Sequence, residues 1–119
     1  MLIKRIVCEV DAANAKAFSN AQSQWGALSH VNGFIKQTGG WRKTADGLFT
    51  AEIISVWENR AAYDHFIENE HDAIYEEIGQ KATLYSIEVA LTQVDAEGVA
   101  FLFENREIEY EPGWTVTKA

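Results

Sequence analysis

The order in which two hydrophobic periods follow one another restricts the fold of this chain more than any other feature. Residues 2 to 10 (LIKRIVCEV) are rich in β-branched types and short of turn formers, so they read as a first strand that Asp11 stops. Phe18, Ala21, Trp25 and Leu28 then recur at three- and four-residue spacing. They mark the apolar stripe of a helix of about four turns, which Asp11 can cap and which Gly26 to Asn32 ends. Period two returns from Gly33 to about Trp41, where Gly39-Gly40 would weaken the strand or mark a bulge, and again from Leu48 to Trp57. Asp46-Gly47 between these runs favours the positive φ angles of a tight reverse turn, which makes them an antiparallel hairpin. From Glu58 to about Gly79 the period is again 3.6, with Tyr63, Phe66, Ile67, Ile74 and Ile78 on one side and Gly79 as the stop. Ala82 to Leu91 alternates cleanly, placing Tyr85, Ile87, Val89 and Leu91 on one face of a fourth core strand.

Strand, helix, strand, strand, helix, strand folds most simply as an α+β, ferredoxin-like βαββαβ antiparallel sheet with both helices on one face, where right-handed crossovers put them. The chain is read as one domain over residues 1–119, with a core at about 2–92 and a C-terminal extension at about 93–119. In the extension, Val99 to Phe103 and Ile108 to Tyr110 suggest a hairpin or arm; Pro112 and Gly113 argue against a regular ending, while Trp114 suggests docking. Strands one and three carry apolar residues on both sides. Ile3 and Val7 oppose Leu2, Ile6, Cys8 and Val10, while Phe49, Ala51, Ile53 and Trp57 oppose Ile54 and Val56. A solvated face should alternate to polar residues, so a second sheet packed face to face is expected, giving a homodimer and a dimeric α+β barrel. The alternative is a monomer whose own tail covers the open face.

Composition narrows the partners. A formal charge of −8 opposes approach to nucleic acid or anionic lipid. No apolar run nears the roughly 20 residues of a spanning helix, and the amino terminus has no signal-peptide cleavage pattern, so neither nucleic acid nor membrane is an expected partner and the cytoplasm is the expected location. The single Cys8, in an apolar strand, reads as a buried structural thiol, and three scattered histidines give no metal spacing.

Gly33-Phe34 opening strand two, Val56-Trp57-Glu58 ending strand three and Ala62-Tyr63 on the next helical turns resemble the antibiotic-biosynthesis-monooxygenase superfamily of dimeric α+β barrels. The likeness covers residues 2 to about 92. Trp57 to Tyr63, Glu70-His71-Asp72, Gly79-Gln80-Lys81 and Tyr85 to Val89 look like an uncharacterised, YdbC-like branch of it. The superfamily hosts monooxygenases, isomerases, haem-degrading enzymes and proteins without known activity, so the fold does not give the function. Haem degradation is not expected: its members carry an Asn on strand one, a Trp where this chain has Phe66 and a His where it has Glu76.

The resemblance implies a pocket between the helices and the sheet. At 100° per residue Glu70 falls in the middle of the stripe of Tyr63, Phe66, Ile67 and Ile74, so an unbroken helix aims a desolvated carboxylate at the sheet as a base. A kink near Glu68-Asn69-Glu70, or pairing with a basic or hydroxyl group, removes that role. His71 lies on the flank of the same helix, where Asp64 or Glu68 could orient it at the pocket rim, although a surface histidine in an acidic face is commoner. His65 points away, and His30 lies in a loop at the pocket mouth. Trp57, Tyr63, Phe66 and Tyr85 are the expected wall residues for a small apolar or aromatic ligand, and Trp25 and Trp41 also sit near element ends. Without a phosphate loop or a nucleophile motif, no cofactor or metal is expected. The resemblance then implies either a cofactor-independent monooxygenase acting on an aromatic or polyketide-like molecule, with Glu70 and His71 as catalytic candidates, or a non-catalytic metabolite-binding or interaction protein, or a muconolactone-type isomerase.

Overall fold

The first alternating run becomes β1 (Leu2–Asp11), an interior strand of the sheet in the computed structural model, which describes residues 1–42, 48–83, 86–95, 98 and 107–119. On one side β1 pairs antiparallel with β3 (Leu48–Trp57), from Leu2↔Trp57 to Asp11↔Leu48. On the other it pairs antiparallel with β4 (Ser86–Gln93), from Leu2↔Gln93 to Glu9↔Ser86. With β2 (Phe34–Arg42) beyond β3, the order β4-β1-β3-β2 with every neighbour antiparallel is the ferredoxin-like arrangement that the periodicities predict. The Asp46-Gly47 turn lies outside the described residues, but β2 and β3 pair as a hairpin requires. No irregularity falls at Gly39-Gly40; the register shift lies between Phe34 and Lys36. Gly40 instead allows close approach, because a Cβ there would run into the Glu109 carbonyl of the neighbouring strand.

The helical segments are shorter than their stripes. Asp11 makes no side-chain cap; a 3-10 turn, Ala12–Asn14, intervenes before α1 (Ala15–Gln22), and a second 3-10 segment, Trp25–His30, follows it. Phe18, Ala21, Trp25 and Leu28 are nonetheless all buried, so the stripe survives the change of helix type. The expected long second helix is two: α2 (Arg60–Asn69) and α3 (His71–Ile78), broken at Glu70 with φ −128° and ψ −31°. The Asn59 side chain caps α2 by accepting the Ala62 N–H at 2.8 Å, and Gly79, at φ +72°, stops α3 as its sequence position suggests. Strand β4 starts later than expected, after a 3-10 turn over Gln80–Thr83, and is an exposed edge strand rather than a core one, with Ile87 and Val89 about half exposed (50% and 51%). Among the described residues no helix is long and apolar enough to cross a membrane.

Past β4 the chain re-enters on the opposite edge of the sheet, where β5 (Ile108–Tyr110) and β6 (Val116–Thr117) both pair antiparallel with β2. The Val99 to Phe103 run lies outside the described residues. The arm docks through Trp114, which is fully buried against Phe18 and Trp41 at ring-centroid distances of 5.7 and 5.3 Å, and whose Nε1–H donates to the Ser19 carbonyl and hydroxyl oxygens. This anchor, rather than local propensity, gives a regular ending past Pro112-Gly113, contrary to expectation.

The sheet face away from the helices is not bare. Ile3, Ile54 and Val56 cluster there with Ile35 and Val94 and are already buried within one chain, so a twin subunit is not needed to cover them. The same face holds the buried Glu52 between Arg5 and Arg42, the latter donating Nε–H at 2.9 Å. Burial alone would raise the Glu52 carboxyl, but the hydrogen bonds and charge of the two guanidiniums outweigh it and hold the group below its ordinary value. A depressed carboxyl contributes stability above its unfolded value and loses it as pH falls through the folded one. Glu52→Gln is therefore expected to cost about 2 kcal/mol near pH 7 in urea unfolding, with the difference from wild type shrinking in acid.

Candidate functional site

The helix-facing side of the sheet and the helices above it do not close completely. Between them lies a cavity of about 420 Å3. Its floor comes from alternate residues of β1 and β3, Lys4, Ile6 and Cys8 on the first and Ile53, Ser55 and Trp57 on the second, and the antiparallel register sets Lys4 opposite Ser55 and Ile6 opposite Ile53. Its roof comes from Tyr63 and Phe66 of α2, His71 and Tyr75 of α3, and Trp25. Ile87 and Val89 line it from the exposed edge strand, which places its mouth along β4.

Aromatic contacts fix the roof. Trp57 meets Phe34, Tyr63 and Phe66 at centroid distances of 5.4, 5.6 and 5.0 Å. His71, Trp25 and Tyr75 form a three-ring cluster, with centroids 5.6 Å apart for His71 and Trp25, 5.5 Å for His71 and Tyr75 and 6.3 Å for Trp25 and Tyr75, and Phe66 meets His71 in a T-shaped contact at 5.7 Å. Trp25 is itself held by its Nε1–H to Gln80 Oε1 at 2.9 Å, and Gln80 Nε2 donates to Gln22 Oε1 at 2.6 Å, tying α1 to the end of α3. His71 Nδ1 lies 3.1 Å from Asp72 Oδ1. A carboxylate oxygen only accepts, so Nδ1 carries the hydrogen, and the lone pair of the neutral ring is then on Nε2.

The wall residues expected from the sequence, Trp57, Tyr63 and Phe66, all line the cavity, and so does His71. Tyr85 lies outside the described residues. Glu70 is corrected. It is exposed and does not line the cavity, because the chain leaves helical geometry at that residue and the 100° step that aimed it inward no longer holds. The carboxylate on His71 is its neighbour Asp72; Asp64 pairs instead with Arg60 at 2.9 Å. Trp41 is also elsewhere, packed with Phe18, Phe49 and Trp114. His65 and His30 are exposed and neither lines the cavity. Cys8 is buried as expected, and burial pushes its thiol up to about 12, which keeps it from acting as a nucleophile near neutral pH. Among the described residues no cluster of His, Cys, Asp and Glu could hold a metal ion.

Of the cavity residues that escaped the sequence reading, Lys4 carries the charge. Lys4, only 8% exposed, projects from β1 into the floor with Nζ 5.1 Å above the Tyr63 ring, and among the described residues no carboxylate pairs with it. Burial lowers its ammonium to about 8. The only signal was a gap: in the run Leu2, Ile6, Cys8, Val10 the missing alternate position is residue 4.

The chain resembles known proteins along most of its length. Residues 2–92 match the family described as Domain of unknown function (DUF4937). The uncharacterized protein YdbC of Bacillus subtilis (strain 168) is 67% identical over all 119 residues, covering 100% of both chains. Among solved structures, a putative antibiotic biosynthesis monooxygenase from Bacillus cereus superposes with a TM-score of 0.63 at 16% identity, covering 80% of this chain and 93% of that one. SnoaB, a cofactor-independent oxygenase from Streptomyces nogalater, superposes with a TM-score of 0.60 at 14% identity, covering 79% and 93%. The two structures share the fold.

A depressed lysine makes a stability prediction of its own. The folded state resists protonating Lys4, so this group costs stability below about pH 8 and the cost vanishes as pH rises toward its unfolded value of 10.5. Lys4→Met is therefore expected to be more stable than wild type at pH 7, by on the order of 3 kcal/mol, with the gap closing between pH 8 and 10.5 in chemical unfolding.

Proposed function

We propose that this chain, which belongs to the family described as Domain of unknown function (DUF4937), binds a flat, largely apolar small molecule in the cavity beneath α2 and α3 and oxygenates it without a cofactor. The observation that carries this reading is the aromatic enclosure of one imidazole: His71, packed by Trp25, Tyr75 and Phe66 and oriented by Asp72, at the wall of a cavity that otherwise presents mostly carbon. The fold shared with a cofactor-independent oxygenase supports the choice of reaction. The substrate class is a fused-ring phenol with a ring hydrogen para to the hydroxyl, of the aromatic or polyketide-like kind.

In this reading His71 Nε2 accepts the phenolic proton and leaves an electron-rich anion. The anion passes one electron to O2, the resulting pair combines at the para carbon as a peroxide, and water leaves as the O–O bond breaks. One oxygen atom enters the product as a quinone carbonyl, the other departs as water, and the ring hydrogen supplies the second proton. Trp57, Tyr63 and Phe66 position the ring and exclude solvent. Glu70 has no part in it.

The second subunit expected from the sequence is a separate proposal. Strand β4 is an exposed edge carrying Ile87 and Val89, which is a template for pairing with a copy of itself. Sedimentation at micromolar concentration should then show a dimer; a monomer removes the partner and leaves the one-chain cavity as it stands.

Oxygen-electrode assays with hydroquinone-like and naphthol-like compounds should show uptake matched to quinone formation. His71→Gln is expected to lower the rate about 100-fold while ligand still binds. Compounds that bind wild type with no oxygen consumed would refute the oxygenase and favour the metabolite-binding reading, whereas conversion without oxygen uptake would favour an isomerase.

A further inference from the structure

The floor of the cavity is apolar except along one line. Lys4 on β1 is the register partner of Ser55 on β3, and Ser55 is the partner of Gln37 on β2. Register partners point to the same side of a sheet on strands about 4.8 Å apart, so the three side chains form one transverse row, and all three line the cavity. They are buried, at 8%, 2% and 6% exposure. The row ends in apolar residues, Leu91 beyond Lys4 and Val116 beyond Gln37. The neighbouring rows are apolar too: Leu2, Trp57 and Phe34 on one side, Val89, Ile6 and Ile53 on the other.

All three members can donate. The Lys4 ammonium has three N–H bonds and lies over the ring of Tyr63, with no hydrogen-bond or ion-pair partner among the described residues. The Ser55 hydroxyl oxygen accepts the Trp57 Nε1–H at 3.2 Å, which leaves its own hydrogen to give elsewhere. The Gln37 side chain makes no hydrogen bond among the described residues. A buried cation with no counter-charge is costly, and a row of convergent donors with no anion is the complement of one.

We propose that the Lys4–Ser55–Gln37 row is an oxyanion-binding subsite, so that the cavity selects flat apolar molecules bearing an anionic oxygen, a carboxylate or a phenolate. The assignment rests on the cavity being a small-molecule site. It adds the part of the ligand that the aromatic roof cannot specify: the charged end sits on the floor over Ser55, and the rings lie between the apolar rows and α2. An ion pair formed there is shielded from water and salt, so discrimination against neutral analogues is large. Because a neutral lysine must take up a proton to pair with an anion, binding above pH 8 carries proton uptake. Among the described residues the other titratable groups lining the cavity are Cys8 on β1, Tyr63 on α2, and His71, Asp72 and Tyr75 on α3.

Calorimetry with the full chain at pH 7 would compare 2-naphthoate, 2-naphthol and the neutral 2-naphthalenemethanol. Wild type is expected to bind 2-naphthoate at least about 10-fold more tightly than the neutral alcohol, with Lys4→Met removing that preference while binding the alcohol within about 3-fold of wild type. Ser55→Ala and Gln37→Leu should each weaken the anion alone. Appearance of the naphtholate absorbance band on binding 2-naphthol identifies a phenolate as the anion taken; binding of 2-naphthoate alone identifies a carboxylate. At pH 8.5, titrations in two buffers of different ionisation enthalpy should show proton uptake on naphthoate binding that Lys4→Met loses. Equal affinity of wild type for naphthoate and the alcohol, or undiminished naphthoate binding by Lys4→Met, would overturn the subsite and leave the cavity as a binding site. Failure of all three probes to bind would overturn the cavity reading, and the subsite with it.

Discussion

Ten consecutive residues of β1 pair with β3, and the same strand pairs on its other edge with β4. Everything that the cavity contains depends on this double pairing. Because side chains alternate strictly along a strand, the register decides at one stroke that Leu2, Lys4, Ile6 and Cys8 face the helices and that Ile3, Arg5 and Val7 face away. A slip of one residue would send Lys4 out to the far face and bring Arg5 inward beneath the aromatic roof. Antiparallel hydrogen bonding thus does more than hold the sheet together: it selects which cation is buried.

Burying that cation opposes the packing around it. The roof is built from ring contacts among Trp57, Tyr63, Phe66, Trp25 and His71, and a continuous apolar floor beneath them would be more stable. Natural chains keep such an unfavourable group where function uses it, and a lysine held near its neutral form is suited to meeting an acidic ligand. The far face of the same sheet shows the contrast. Glu52 is equally buried, yet two arginines flank it and its charge is satisfied within the chain. One buried charge has partners and reads as structure; the other has none among the described residues and reads as a site.

Much of the scaffold was legible from periodicity. The first three strand runs, the hairpin pairing, the Gly79 stop and the stripe from Phe18 to Leu28 appear where the spacing put them, because each rests on a local alternation that the core merely has to accept. The failures have a common cause. Glu70 was placed inward by continuing a 100° step through a residue where the helix breaks; beyond the break Ile74, Tyr75 and Ile78 of α3 still pack, partly buried, against the aromatic core. Asp11 was read as a cap, but a 3-10 turn separates it from α1. Periodicity reports which face is apolar, and is silent on what packs against it.

The sequence by itself determined the order of elements, the alternation along each strand and the aromatic supply for the roof, since these follow from backbone geometry and local spacing. It also held two interruptions in otherwise apolar alternations, Lys4 between Leu2 and Ile6, and Ser55 between Ile53 and Trp57. Only the tertiary structure decided that these gaps are neighbours. They lie 51 positions apart in the chain and meet solely because β1 and β3 pair in one register out of many, and Gln37 joins them through a second pairing set by the shift between Phe34 and Lys36. Long-range register is a property of the whole packed sheet, so a row of donors that crosses three strands has no expression in any single stretch of sequence.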